Sequence, residues 1–369
     1  MIFLKHKLVL INSVVYCLFK MRVLILSFLM LFGFTNCDDS IPCRFSDGSF
    51  GKCVDIKNCE SLYGLFRQGT IRIKDLPICD QIRRLVCCPR ISAKKCKEYG
   101  KSAVETKSDL NILPTTKCNF SPSPLLIGRH EASPLEFPHQ ALIGYQINDE
   151  FKWICGGSLI SSEFVLTATQ CIDLIEYGAI KFVKLGVLDR LNDGAKSLFL
   201  LVKQTFKHSK GKWSSLHNDI ALLKLQWSIN FDENILPACL PTRPYYDTKA
   251  IETGFGENGI DYDTSSQKLL KDEVRKFNQQ ICKDLYDEKF NESTMLCYGH
   301  NADRKDFCIT EKGGPLQVNN DDQVNCTYTL IGISSLRTSS CGISGEPSAY
   351  VNVYKYVDWI ESIVWKNEA

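Results

Sequence analysis

The sequence predicts an all-β protein led by a small disulfide-stapled module, and three observations carry that expectation. After Leu125 the chain breaks into short runs rich in Val, Ile, Leu and Phe, bounded by Gly, Asn, Asp and Pro. Ala141 to Gln146, Phe164 to Ala168 and Tyr328 to Ile333 are examples, and the pattern is that of a barrel or sandwich. Apolar residues at helical spacing stand out only near the end, at Val357, Ile360, Val364 and Trp365. Six cysteines crowd between Cys43 and Cys88, namely Cys43, Cys53, Cys59, Cys79, Cys87 and Cys88. Short secreted modules use that density where they cannot build a core.

At the amino terminus, two apolar runs, 8–19 and 23–34, are separated by Lys20-Met21-Arg22. Each is too short to span a bilayer. Residues 1–37 are therefore expected to be a signal peptide cut before Asp38, with the part before Met21 an upstream extension. A signal anchor using both runs would set two basic residues mid-membrane. Removing 1–37 takes away Cys17 and Cys37 and leaves sixteen of the eighteen cysteines, an even number that suits a fully paired secreted chain. No repeated C-x-x-C pair followed by His argues for zinc. The charge balance of 44 basic against 42 acidic residues, +2 overall, favours neither nucleic acid nor an acidic membrane as partner. No metal or cofactor is expected. Sequons at Asn119, Asn291 and Asn325 agree with a secreted, extracellular glycoprotein.

Within the cysteine-rich module at 43–88, the neighbours Cys87 and Cys88 cannot readily pair with each other. Fifteen pairings of six cysteines remain open from the residues alone. Residues 89–125 are expected to be a linker, since Lys and Ser are common, apolar periodicity is absent, and Asn111 to Pro124 carries prolines and a sequon. The linker keeps Cys96 and Cys118. The all-β domain then occupies 126–369.

The stretch Cys308-Ile-Thr-Glu-Lys-Gly-Gly-Pro-Leu316 resembles the nucleophile loop of trypsin-like serine proteases, C-x-G-D-S-G-G-P-L, with its serine replaced. Other segments resemble the same family in the same order: Glu136-Phe-Pro-His139, Cys155-Gly-Gly-Ser-Leu-Ile160, Asn218-Asp-Ile-Ala-Leu-Leu223, Pro237-Ala-Cys-Leu-Pro241 and Gly254-Phe-Gly256. The module ending in Val86-Cys-Cys-Pro89 is similar to the clip domain of arthropod proteases. These resemblances imply two packed six-stranded β-barrels with a carboxy-terminal helix and a site between the barrels. In the clip module they imply the disulfides Cys43 with Cys87, Cys53 with Cys79 and Cys59 with Cys88. In the protease domain they imply Cys155 with Cys171, Cys282 with Cys297, Cys308 with Cys341 and Cys118 with Cys239. Cys96 is left for Cys326.

Serine proteolysis needs a hydroxyl nucleophile, an imidazole base and a carboxylate that orients it. By the resemblance, Gln170 stands at the histidine position, Asp219 keeps the carboxylate and Lys312 replaces the serine. The six histidines are at 6, 130, 139, 208, 217 and 300, and none matches the lost position; His217 is expected to be a surface loop residue. Loss of both groups implies a fall of roughly 10^6 in turnover, or about 8 kcal/mol of barrier. Lys312 is expected to plug the site through an ion pair with Asp219. Asp306 matches the carboxylate that selects basic side chains, but Arg337 and Ser348 occupy wall positions where glycines leave room, and Arg337 could reach Asp306. The activation position falls after Leu125, with Leu126 as new amino terminus and Glu311 as its ion-pair partner. The function implied is that of a secreted, non-catalytic protease homologue. It would act as a binding or regulatory cofactor in an extracellular cascade of innate immunity, melanisation or Toll-type signalling. Its partners would be cascade proteases, prophenoloxidase or other substrates. The alternative is a serine-endopeptidase-like enzyme with altered chemistry at Lys312.

Overall fold

The computed structural model describes residues 41–46, 49–105, 130–147, 150–174, 178–191, 194, 196–208, 217–256, 267–300, 311–319, 327–336 and 346–366, with side chains omitted at 101–105. In the first module, β1 (Ile41–Arg44), β2 (Phe50–Val54), β3 (Ile78–Asp80) and β4 (Leu85–Pro89) form an antiparallel sheet in the order β1-β2-β4-β3, with helix α1 (Glu60–Arg67) between β2 and β3. Its buried cluster consists of Cys59, Val86 and Cys88, so sulfur stands in for a core. The bridges are Cys43–Cys87, Cys53–Cys79 and Cys59–Cys88, as the resemblance implied. Each contributes about 2–4 kcal/mol by restricting the unfolded chain.

The expected linker begins with a helix, α2 (Ile91–Glu105). Among its residues with described side chains Ser92, Cys96, Tyr99 and Gly100 are buried, and the four- and three-residue spacing of the first three puts them on one face. That face is too short and too weakly apolar to register as periodicity. Tyr99 meets Phe231 edge-on with ring centroids 5.3 Å apart, and Cys96 bonds Cys239. This corrects two expected pairings: Cys239 is not joined to Cys118, nor Cys96 to Cys326. The docked face of α2 brings Cys96 to Cys239, with Cα atoms 5.1 Å apart, and so decides the partner. Cys118 and Cys326 lie outside the described residues, as do Cys308 and Cys341.

The large domain starts with β5 (His130–Glu131). Its first barrel contains β6 (Gln140–Ile147), β7 (Glu150–Leu159), β8 (Phe164–Thr167), the one-turn helix α3 (Thr169–Ile172), β9 (Ile180–Leu185), β10 (Leu198–Lys207) and β11 (Ala221–Leu225). The strands close in the order β10-β11-β8-β7-β6-β9. Alternation along the strands turns Ile143, Val183, Leu185 and Leu222 into the core. The second barrel contains β12 (Lys249–Gly254), β13 (Leu270–Lys276), helix α4 (Gln279–Tyr286), β14 (Met295–Gly299), β15 (Pro315–Asn319), β16 (Tyr328–Leu336) and β17 (Ser348–Asn352). Their order is β12-β15-β16-β17-β14-β13. Pairing of β12 with β13 closes the ring, and β5 adds to the outer side of β13. Two six-stranded barrels are what the resemblance implied.

Helix α4 was not expected from periodicity. It starts at Asn278, whose side chain accepts the Gln280 N–H at 3.0 Å, a cap that satisfies one orphan donor. The final helix, α5 (Val357–Val364), buries Val357, Ile360 and Glu361. Glu361 receives the Ser92 N–H at 3.0 Å and the Ser92 hydroxyl at 2.7 Å. The buried Arg90 donates to Asp358 at 2.9 Å and to Glu361 at 3.4 Å, and Lys52 donates to Asp358 at 3.1 Å. The first module and the start of α2 are therefore held against α5 by paired charges, while the Cys96–Cys239 bond ties α2 to the segment that precedes β12.

Candidate functional site

The site lies where α3 and the start of β11 from the first barrel meet the 311–314 turn and the end of β16 from the second. Cys155–Cys171 ties β7 to α3, which seats Gln170. Asp219 follows Asn218, whose φ of 57° is a left-handed conformation that Asn tolerates. The Tyr356 hydroxyl donates to the Asn218 side chain at 2.8 Å. Both Gln170 and Asp219 are buried.

Asp219 is fully engaged by donors. The Gln170 backbone N–H reaches Oδ1 at 2.9 Å, the Gln170 carboxamide Nε2 reaches Oδ2 at 2.5 Å, and the Ser335 hydroxyl reaches Oδ2 at 2.6 Å. Burial pushes the Asp219 carboxyl up from its ordinary value, while hydrogen bonds from Ser335, Gln170 and Thr169 pull it back. Gln170 Nε2 also donates to the Ser335 carbonyl at 3.1 Å. Its two N–H donors are thus both spent on structure. What remains of the carboxamide is a carbonyl oxygen, a hydrogen-bond acceptor without the basicity of an imidazole.

Lys312 is half-buried, and its role differs from the expected plug. It forms no ion pair with Asp219, whose oxygens are taken by Gln170 and Ser335. Its backbone is what anchors the turn: the Lys312 carbonyl accepts the Gly156 N–H at 2.9 Å. Next to it, Gly313 has a φ of +79°, and a Cβ there would lie 2.2 Å from Thr167 Oγ1 and 2.6 Å from the Gly156 carbonyl. Only glycine lets the turn lie this close to β7 and β8. His217, as expected of a loop histidine, faces away from the carboxylate chemistry: its Nε2 bonds the Glu288 carbonyl at 2.9 Å.

Glu311 is buried, and its Oε1 accepts the Phe255 N–H at 2.6 Å. Burial holds the Arg190 guanidinium below its ordinary value, and the Glu311 charge opposes that. Arg190 also donates to the Trp153 carbonyl at 3.0 Å. Ser348 is half-buried at the start of β17, opposite Tyr298. Asn291 sits in a turn in which the Ser293 N–H and hydroxyl donate to its side chain at 2.9 and 2.7 Å. Asp306, Arg337, Leu125, Leu126, Asn119 and Asn325 lie outside the described residues.

Sequence reasoning missed Ser335 and Arg190, which no motif marks. It also missed a buried polar chain linking the barrels. His139 donates Nε2–H to Gln317, Gln317 donates to Thr253 at 3.1 Å, and Thr253 donates to Gln140 at 2.7 Å.

A family model described as Trypsin matches residues 126–360. Phenoloxidase-activating factor 1 of Holotrichia diomphalia is 30% identical over 86% of this chain and 92% of its own length. Serine protease snk of Drosophila melanogaster is 29% identical over 88% of this chain and 78% of its own. The chain belongs to the trypsin family, in its arthropod clip-domain branch. The crystal structure of the Drosophila Grass clip serine protease of the Toll pathway superposes with a TM-score of 0.62 at 23% identity, covering 89% of this chain and 98% of that one. That likeness describes the fold alone. In this trypsin-family chain Gln170, Asp219 and the Lys312 backbone come together between the barrels, and the first module is stapled by three disulfides.

Proposed function

We propose that this clip-domain chain is a secreted, non-catalytic protease homologue that works by binding, as a regulatory component of an extracellular protease cascade. The observation that carries the reading is Gln170. It occupies the base position with both carboxamide N–H groups committed, to Asp219 at 2.5 Å and to the Ser335 carbonyl at 3.1 Å. A hydroxyl or amine nucleophile needs a group that accepts its proton, and Asp219 is already saturated with donors. Relatives called a phenoloxidase-activating factor and a melanization protease support an innate-immune, melanisation or Toll-type cascade as the setting, with cascade proteases or prophenoloxidase as partners.

On this reading residues 1–37 are the signal peptide, 43–88 the clip domain, 89–125 a segment that is helical at its start, and 126–369 the inactive protease domain. Among the described residues no helix is long and apolar enough to cross a membrane. The sequons at Asn119, Asn291 and Asn325 carry glycan, and cleavage after Leu125 serves as a conformational switch. The Cys96–Cys239 bond keeps the two fragments joined.

Peptide ester and amide turnover, with labelling by a serine-directed phosphonate, tests the proposal on intact and Leu125-cleaved protein. No turnover and no label are expected. Turnover that Lys312→Ala abolishes and Gln170→Ala leaves intact would establish the altered-chemistry alternative instead.

A further inference from the structure

The 311–314 turn carries two donors that no other described residue uses. The Gly314 N–H closes the turn on the Glu311 carbonyl at 2.9 Å, and the Gly313 N–H is spent on the Ser334 carbonyl, also at 2.9 Å. Lys312 stands inside the turn, half-buried. Its carbonyl is taken by the Gly156 N–H at 2.9 Å. Among the described residues, however, neither its backbone N–H nor its ammonium has a hydrogen-bond partner, and no carboxylate pairs with the ammonium.

Asp219 is the carboxylate expected to balance that charge, and its oxygens already receive the Gln170 N–H, the Gln170 carboxamide and the Ser335 hydroxyl. Gln170 keeps Oε1 as an acceptor with no hydrogen bond among the described residues. Cys171 connects the two residues, since it follows Gln170 and its Sγ lies 3.4 Å from the Lys312 carbonyl. What α3 and the turn leave unspent is therefore a cation, an N–H and one carbonyl oxygen. A half-buried ammonium has given up part of its hydration, and a carboxylate brought from outside recovers that cost. The backbone needs no rearrangement to receive one. A Cβ on Gly313 would collide with Thr167 and Gly156, and the Cys155–Cys171 bond fixes α3, so the site is preorganised.

We infer that the cleft takes up a carboxylate of a partner polypeptide, with the Lys312 ammonium as its counter-charge and the Lys312 N–H and Gln170 Oε1 as the further donor and acceptor. An Asp or Glu side chain and a free chain end present the same group. The inference rests on the reading of the chain as a non-catalytic binding component and names the chemistry that its cleft selects. Lys312 then recognises a charge where a nucleophile would attack a carbonyl, and the contact weakens as salt rises.

The test uses the full-length secreted chain and immobilised pools of randomised octapeptides, amidated at the carboxyl end, in which one position at a time is fixed as Glu, Gln or Lys. A second set compares free with amidated carboxyl ends. Gln keeps the shape of Glu without its charge, so the Glu-to-Gln ratio isolates the carboxylate. Biolayer interferometry is expected to show a preference of about tenfold for Glu over Gln at one position, or for the free over the amidated end. The arm that responds tells a side chain from a chain end. Lys312→Met is expected to bring the ratio to about one, Lys312→Arg to keep it, and Lys312→Glu to turn the preference towards Lys. Far-UV circular dichroism controls for folding in each variant. Equal binding of charged and neutral pools in both sets overturns the inference, and so does a preference that survives Lys312→Met. A preference that appears only after Asp306→Asn would show that a carboxylate of the chain itself already satisfies Lys312, and overturns it too. Peptide-ester turnover that Lys312→Ala abolishes would sink the non-catalytic reading, whereas equal pool affinities without turnover would sink this inference alone.

Discussion

Replacing Gln170 by alanine removes a side-chain donor from a buried carboxylate. The bond to Asp219, at 2.5 Å, has a charged acceptor and contributes about 1.5–3 kcal/mol, and the bond to the Ser335 carbonyl about 1 kcal/mol more. The expected loss is about 3 kcal/mol, a fall in Tm of roughly 6–12 °C for a domain of this size. Gln170→Glu goes further by placing a second carboxylate against Asp219, whose own pKa burial already raises. Two adjacent buried carboxylates cannot both ionise, so the pair takes up a proton on folding. Its folded pKa then stands above the unfolded value of about 4. The variant is relatively stable below that value and loses stability as pH rises through the folded pKa. Gln170→His keeps an N–H for Asp219 and is expected to retain most of the stability. Thermal unfolding of the three variants and the wild type at pH 5 and pH 8, with disulfides intact, reads the series. A Gln170→Ala midpoint within error of the wild type, or a Gln170→Glu deficit that does not grow from pH 5 to pH 8, refutes the argument that Gln170 is a structural partner of Asp219.

Two further outcomes follow from buried groups outside the cleft. Burial holds the His139 imidazole down to about 4 from 6.5, so neutral His139 is favoured in the fold. Its contribution is complete above pH 6.5 and is lost as pH falls towards 4, up to about 3 kcal/mol over that shift of 2.5 units; urea unfolding of wild type and His139→Gln should diverge across that window, and parallel curves would count against it. Arg90→Met strips a buried cation from Asp358 and Glu361 and is expected to cost about 3 kcal/mol. Hydrogen exchange should then speed up in α2 and the clip sheet, and unchanged protection there would show that Cys96–Cys239 alone holds them.

Much of this molecule is legible in one dimension because its cause is local. Alternating apolar residues bounded by turn formers mark the strands of both barrels, and side chains two apart share a face wherever the strand goes. The motif around Lys312 and those around Gln170 and Asp219 point to the site through their resemblance to the family's motifs. Helix α2 escaped notice because the buried face of its described part is made of Ser92, Cys96, Tyr99 and Gly100, a weakly apolar stripe that means nothing until a surface covers it. The pairing of Cys96 with Cys239 escaped for the same reason, since their separation of 143 residues is bridged only by docking of that face.

Through its resemblance to the family's motifs, the sequence by itself pointed to Gln170, Asp219 and Lys312 as one site, because residue identity at a motif position is a one-dimensional fact. Tertiary structure decided what those residues do. Asp219 has few acceptor positions, and the groups that arrive at hydrogen-bond distance are Gln170 and Ser335, contributed by opposite barrels, whereas Lys312 arrives with its backbone. It also decided that Phe151, Phe182 and Phe199, scattered over three strands, meet ring to ring, with Phe182 buried beneath the exposed Phe151 and Phe199. Hydrogen bonds act over about 3 Å and ring contacts over about 5 Å. Only the closed barrels bring residues so distant in sequence within those ranges.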